Sequence, residues 1–200
     1  MADKIPTTVW TSSHAKYGGF KRKIKESFRK SNRFEEPIVV YKGGLKMSFN
    51  MAKKIIKDVK SQEGKPQAHV VQLGDNNLRW FENEPEEVMA MFHYLLSEVS
   101  KIQKCKIIIT TLMPTLQNIE NNLETFTKFD QDLETKLNLD PKYDLLDLRK
   151  SLKSKNGDIK EKFFKMDGKM AGVHLNEQGA MVLCNQIFNK LERLPRKFFE

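Results

Sequence analysis

Five short runs of β-branched and apolar residues punctuate the chain: TTVW (7–10), PIVVY (37–41), HVVQL (69–73), KIIIT (106–110) and YDLLDL (143–148). They are short and nearly continuous in apolar character, which fits strands buried on both faces of a sheet. Between them apolar residues recur every three to four positions, the period of a helix with one buried stripe. Phe20, Ile24 and Phe28 form one stripe, and Met51, Ile55, Ile56 and Val59 a second. Val88, Met91, Phe92, Leu95, Leu96 and Val99 form a third, with Pro85 suited to its first turn. Met89 and Met91 read as core. A longer helix is expected over 116–137 and a last one over 180–194, after Asn176, whose side chain can cap it. The stretch KSLKSKNG (150–157) reads as a loop. Strand–helix alternation of this kind predicts an α/β three-layer sandwich around a central parallel sheet of five strands.

The chain has 200 residues, enough for one domain with a proper core, and its hydrophobic content of 39% is that of a globular protein. No apolar run approaches the roughly 20 residues of a membrane span, so no membrane association is expected. MADKIPTTVW at the start lacks an apolar signal region, which argues against secretion. Cys105 and Cys184 sit in apolar patterns and read as buried free thiols. His14, His69, His93 and His174 show no ligand spacing, and no Cys-x-x-Cys occurs, so neither a metal nor another cofactor is expected.

Charge changes this picture from merely globular to polarised. The net charge is +9, unevenly placed. His14 to Arg33 carries eight basic residues against Glu26 alone, and Arg149 to Lys169 eight against three acids. Phe81 to Asp147 reverses the balance, with thirteen acids against six lysines. Segregation of this kind points to a face that binds a polyanion, nucleic acid before membrane surface, although a solvated basic helix would look the same. The first helix can bury Phe20, Ile24 and Phe28 while presenting Lys21, Arg22, Lys25, Arg29 and Lys30, with Arg33 at its end. The stretch RLPRKFFE adds Arg193, Arg196 and Lys197 beside Phe198 and Phe199.

In open α/β sheets, ligands bind beyond the carboxyl ends of the strands. The segments there are TSSHAKYGG, YKGGLKM, GDNNLRW and TTLMPTL, joined by MAGVHLNEQG before the last helix. Hydroxyls, paired glycines, an asparagine and a histidine are thereby expected along one edge.

Taken in order, these segments resemble the SGNH (GDSL-type) hydrolases. The resemblance places Ser13 of TSSH at the nucleophile position, Gly43 or Gly44 of YKGGL and Asn76 of GDNN as oxyanion donors, and His174 of VHLNEQG as the base. It covers nearly the whole chain. Three departures accompany it: Thr11-Ser12 stands where the family has Gly-Asp, Asn77 where it has Asp, and Ala171 where it has the acid that orients the histidine. That acid fixes the imidazole tautomer and stabilises its cation, and its loss costs about 10⁴ in rate in one well-studied case. Asp167 lies four residues upstream of Ala171, at the wrong spacing to replace it.

A scaffold of this kind without the acid, and with strong basic patches, is similar to the C-terminal SGNH-like domains of the Oskar group of insect germ-plasm proteins. The esterase-like domains of some LINE retrotransposons are a second likeness, but those keep an active site. The Oskar likeness implies one domain over 1–200, the C-terminal part of a longer protein. It implies a pseudo-hydrolase that binds mRNA 3′ untranslated regions, has germ-plasm proteins as partners, and resides in cytoplasmic germ-plasm ribonucleoprotein granules in pole-cell formation and development. Two alternatives stay open on the residues alone: an active esterase using Ser13 and His174, and a protein-interaction module.

Overall fold

In the computed structural model, residues 4–12, 17–41, 46–80, 84–116, 119–137, 142–154, 156, 158–168 and 171–200 are described. The chain alternates strand and helix: β1 (Thr7–Thr11), α1 (Phe20–Arg29), β2 (Ile38–Tyr41), α2 (Phe49–Ser61), β3 (Gln67–Gln72), α3 (Asp75–Trp80), α4 (Pro85–Val99), β4 (Cys105–Thr110), α5 (Ile119–Leu137), β5 (Tyr143–Leu146), α6 (Arg149–Leu152) and α7 (Glu177–Glu192). Short 3-10 turns cover Glu161–Phe163 and Arg196–Phe198. The strands form one parallel sheet in the order β2-β1-β3-β4-β5. The five expected strands are all present, each within a few residues of the run that signalled it.

The sheet is sandwiched. On one face Trp10, Val71 and Ile109, aligned in the strand register, meet Ile55 and Val59 of α2, Phe92 and Leu95 of α4, and Phe129 of α5. On the other, Val9, Val70 and Ile108 meet Phe20, Ile24 and Phe28 of α1 and Leu183 and Ile187 of α7. β1, β3 and β4 are buried along their whole length, which is why their sequences carry no polar alternation. Both cysteines are free and buried. Burial pushes each thiol up to about 12, so neither is a nucleophile near neutrality.

Local signals placed the helices. Pro85 opens α4, where its missing N–H would have no helical partner anyway. Asn176 caps α7, its side chain accepting from the Gly179 N–H. Two short helices were not anticipated in the sequence. GDNNLRW turns at Gly74, after which Asp75–Trp80 winds into a short helix. KSLKSKNG, expected as a loop, begins inside α6, Arg149–Leu152. Both helices are too short to show a period.

Some polar groups are inside. His69 on β3 is 1% exposed, with Nε2 2.8 Å from Gln67 Oε1, and Trp10 Nε1 donates to its Nδ1 at 3.5 Å. Gln67 Nε2 in turn donates to the Val59 and Gln62 carbonyls at the end of α2. Burial lowers His69 to about 4 and keeps it neutral. Lys106 on β4, 1% exposed, lies 3.4 Å from Asp144, donates to the Tyr143 carbonyl, and has its ammonium 4.2 Å from the Phe198 ring centre.

Candidate functional site

The described part of the strand-end edge draws on segments the sequence singled out. Gly74 follows β3 with φ +107°, a conformation open to glycine, and a Cβ there would lie 3.1 Å from Leu112. This turn starts α3 and buries Asn76 (4% exposed) and Asn77 (0%). The Asn77 side chain makes a two-way pair with the backbone of Met47: Nδ2 donates to the carbonyl and Oδ1 accepts from the N–H, both at 2.8 Å. It therefore ties the segment after β2 to the segment after β3.

Ser12 ends the β1 segment with 0% exposure, and its hydroxyl has no hydrogen-bond partner among the described residues. Ser13, Gly43 and Gly44 lie outside the described residues.

His174 sits in a small antiparallel hairpin. Phe164 bridges Leu175, Lys165 N–H donates to the His174 carbonyl at 2.8 Å, and Asn176 N–H donates to the Phe163 carbonyl at 3.0 Å. The imidazole is 5% exposed and lies against the Tyr17 ring, centroids 3.9 Å apart and planes tilted by 31°. Ala171 brings only a methyl group to the turn that precedes it. Asp167 points to Lys165 at 3.7 Å with its side chain 80% exposed.

A second polar cluster at the ends of β4 and β5 escaped the sequence reading. A pocket of about 120 Å³ lies between Thr111, Asp130, Glu134, Asp147 and Arg149. Asp130, 2% exposed, accepts from the Leu112 N–H at 3.1 Å and is 2.9 Å from Arg149. Burial outweighs the Arg149 attraction and raises its carboxyl to about 7. Asp130 belongs to α5, whose sequence is mixed and polar, and only the fold brings it beneath β4. No group of three His, Cys, Asp or Glu side chains able to hold a metal occurs among the described residues, and no helix among them is long and apolar enough to cross a membrane.

The basic residues divide by role. On α1, Lys21, Arg22 and Arg29 are exposed and Lys25 half-buried, Lys30 at its end is exposed, and Lys23 turns inward, 7% exposed, to Glu177 at 3.7 Å. Arg22 lies 3.2 Å from Glu26 and Arg29 2.9 Å from Glu36. Arg33 belongs to the fold. Its guanidinium donates to the Glu192 and Leu194 carbonyls at 3.3 and 2.5 Å and lies 5.1 and 5.2 Å from the Phe34 and Phe199 ring centres. Arg193, Arg196 and Lys197 are exposed. The Ser31–Glu192 hydrogen bond and the Arg33 contacts bring the end of α1 beside this C-terminal stretch.

No family model matches the sequence, and no curated protein matches it. Solved structures do. A family 3 carbohydrate esterase from Talaromyces cellulolyticus matches with a TM-score of 0.69 at 14% identity, over 94% of this chain and 97% of the other. A lipolytic G-D-S-L protein from Veillonella parvula matches with a TM-score of 0.66 at 12% identity, over 95% and 100%. The OSK domain of Drosophila Oskar matches with a TM-score of 0.62 at 14% identity, over 92% and 87%. The chain thus has the α/β fold of the SGNH/GDSL hydrolases, a fold it shares with carbohydrate esterases and with the OSK domain of Oskar.

Proposed function

We propose that this chain is a non-enzymatic RNA-binding domain on a degenerate SGNH scaffold. The observation that carries the reading is the outer face of α1: Lys21, Arg22 and Arg29 are exposed on a helix whose apolar stripe is committed to the core, with Lys25 half-buried among them and Lys30 exposed at its end. Lysine and arginine bind phosphates by releasing condensed counterions and need no deep pocket. Arg193, Arg196 and Lys197 extend the surface beyond the end of α1. The methyl side chain at Ala171, where the hydrolases carry the acid that orients the histidine, supports the loss of hydrolysis. The Oskar likeness supports mRNA 3′ untranslated regions as ligand, germ-plasm proteins as partners and cytoplasmic germ-plasm granules as the place of action.

The test is titration of a labelled single-stranded RNA at two salt concentrations. Affinity is expected to fall steeply with salt, and to be lost in Arg22→Glu with Arg29→Glu. A second variant, Lys21→Glu with Lys30→Glu, leaves the Arg22 and Arg29 ion pairs in place. Unchanged affinity in both would remove α1 as the site. The esterase neighbours favour a second reading, hydrolysis by Ser13 and His174. It requires turnover of a short-chain aryl ester that Ser13→Ala abolishes.

A further inference from the structure

The lysine-rich segment 160–165 is not used by the α1 surface, yet its side chains are organised around aromatic rings. Lys160 and Lys162 place their ammonium groups 5.6 and 5.2 Å from the Phe163 ring centre, and Lys165 places its own 5.6 Å from that of Tyr17. Lys162 is exposed, Lys160 and Lys165 are half-exposed, and Phe163 is buried. Phe163 is thus a fixed floor, whereas Tyr17 is half-exposed and supported from beneath by the His174 ring at 3.9 Å.

This segment adjoins the start of α1. The Asn176 side chain donates to the Lys162 and Phe164 carbonyls at 2.7 and 3.1 Å. Gly18 packs on the other side of the same residue so closely that a Cβ there would lie 2.3 Å from the Asn176 carbonyl oxygen. Lys160, Lys162 and Lys165 are therefore held beside Tyr17 and the start of α1, the helix that carries Lys21 and Arg22. Cations beside a supported aromatic ring are what an unpaired strand needs: phosphates meet the ammonium groups and a base stacks on the ring.

We propose that single-stranded RNA crosses this edge, with a base on Tyr17 and phosphates on Lys160, Lys162 and Lys165, as a second contact continuous with α1. His174 is then the underside of a stacking platform. The inference rests on the RNA reading above and extends it to a separate set of residues.

The experiment uses the full chain, a fluorescein-labelled single-stranded uridine-rich 20-mer, and a duplex of the same length. Lys160→Glu/Lys162→Glu/Lys165→Glu is expected to weaken single-strand binding at least tenfold and to flatten the salt slope by about 2, given roughly 0.7 per phosphate contact on single strands. Tyr17→Ala should weaken single-strand binding by about tenfold while leaving duplex binding unchanged, and Tyr17→Phe should bind as wild type. Circular dichroism melts verify folding, and the lysine variant tests the path even if Tyr17→Ala does not fold. If the lysine and Tyr17 variants bind like wild type while the α1 variants lose RNA, this path is overturned and the RNA reading stands. If the wild type binds no RNA, the RNA reading fails and the path with it.

Discussion

The side chain of Asn77 and the backbone of Met47 are hydrogen-bonded in both directions at 2.8 Å. An amide alone can do this, because it offers a donor and an acceptor side by side. A carboxylate at 77, the residue type the hydrolases carry there, would set an oxygen against the Met47 carbonyl. Asn77→Asp is expected to destabilise the protein by about 1–3 kcal/mol, the range for a buried polar group left unsatisfied. Urea midpoints of the two proteins measure it, and a midpoint as high as wild type would show that the amide's donor is dispensable. Restoring the hydrolase residue at this position thus harms the fold rather than repairing the site.

Arg33 is expected to behave unlike its basic neighbours. It donates to the carbonyls of Glu192, at the end of α7, and Leu194, just beyond it, and is flanked by two aromatic rings, a geometry suited to a planar fork and not to an ammonium. Arg33→Lys should lower stability by about 2 kcal/mol, and Lys30→Gln by less than about 0.5 kcal/mol, as for an ordinary surface change. Thermal melts of the two variants decide it.

Two buried titratable groups give opposite pH dependences. His69 is lowered from 6.5 to about 4 by burial, so the unfolded chain takes up its proton first. Its contribution is fully present above about 6.5 and is lost as pH falls toward about 4. Asp130 is raised from 3.8 to about 7 by burial, so between those values the folded state holds the extra proton and stability falls as pH rises. Relative to wild type, His69→Gln should tilt the stability curve downward with rising pH across this window, and Asp130→Asn should tilt it upward. Urea midpoints at half-unit steps from pH 4.5 to 7.5 provide the test, and two parallel curves would contradict it.

Gly18 has φ +61° and faces the Asn176 carbonyl. Gly18→Ala should cost about 1–3 kcal/mol from the backbone conformation, with the clash added to it. Gly64, with φ +80° and open space around it, carries only the backbone penalty, so Gly64→Ala is the control. Equal losses in the two variants would mean that Gly18 does not pack as described.

The sheet was legible in the sequence because a parallel strand buried on both faces has one unmistakable pattern, as in KIIIT and HVVQL. α4 was legible for the same kind of reason, an unbroken stripe from Val88 to Val99. α3 and α6 were not, since a single turn or two shows no period and a polar hexamer such as DNNLRW reads as loop. The strand-end edge could be named from topology, but contacts between distant segments could not. Nothing local announces that Asn77 will meet Met47, that Asp130 will lie under β4, or that Tyr17 will stack on His174. The role of Arg33 was hidden for a related reason: a basic residue ending a basic helix looks like surface until α7 and Phe199 are packed against it.

The helix layer that carries the cationic face is completed from the far end of the chain. α1 leaves β1 early, yet its partners are Leu183, Ile187 and Phe188 on α7 and, through Phe34, Phe199. During synthesis the opposite layer, with α2 and α4 on β1, β3 and β4, can assemble as soon as those strands leave the ribosome. Phe20, Ile24 and Phe28 can then rest on Val9, Val70 and Ile108, but the side of the stripe that α7 covers must wait for more than a hundred further residues. At elongation rates of about 5–20 residues per second, this leaves that side of the apolar stripe, beside a row of cations, exposed for many seconds. Nascent chains of this protein should therefore engage a chaperone on α1 before they have any surface fit to hold RNA.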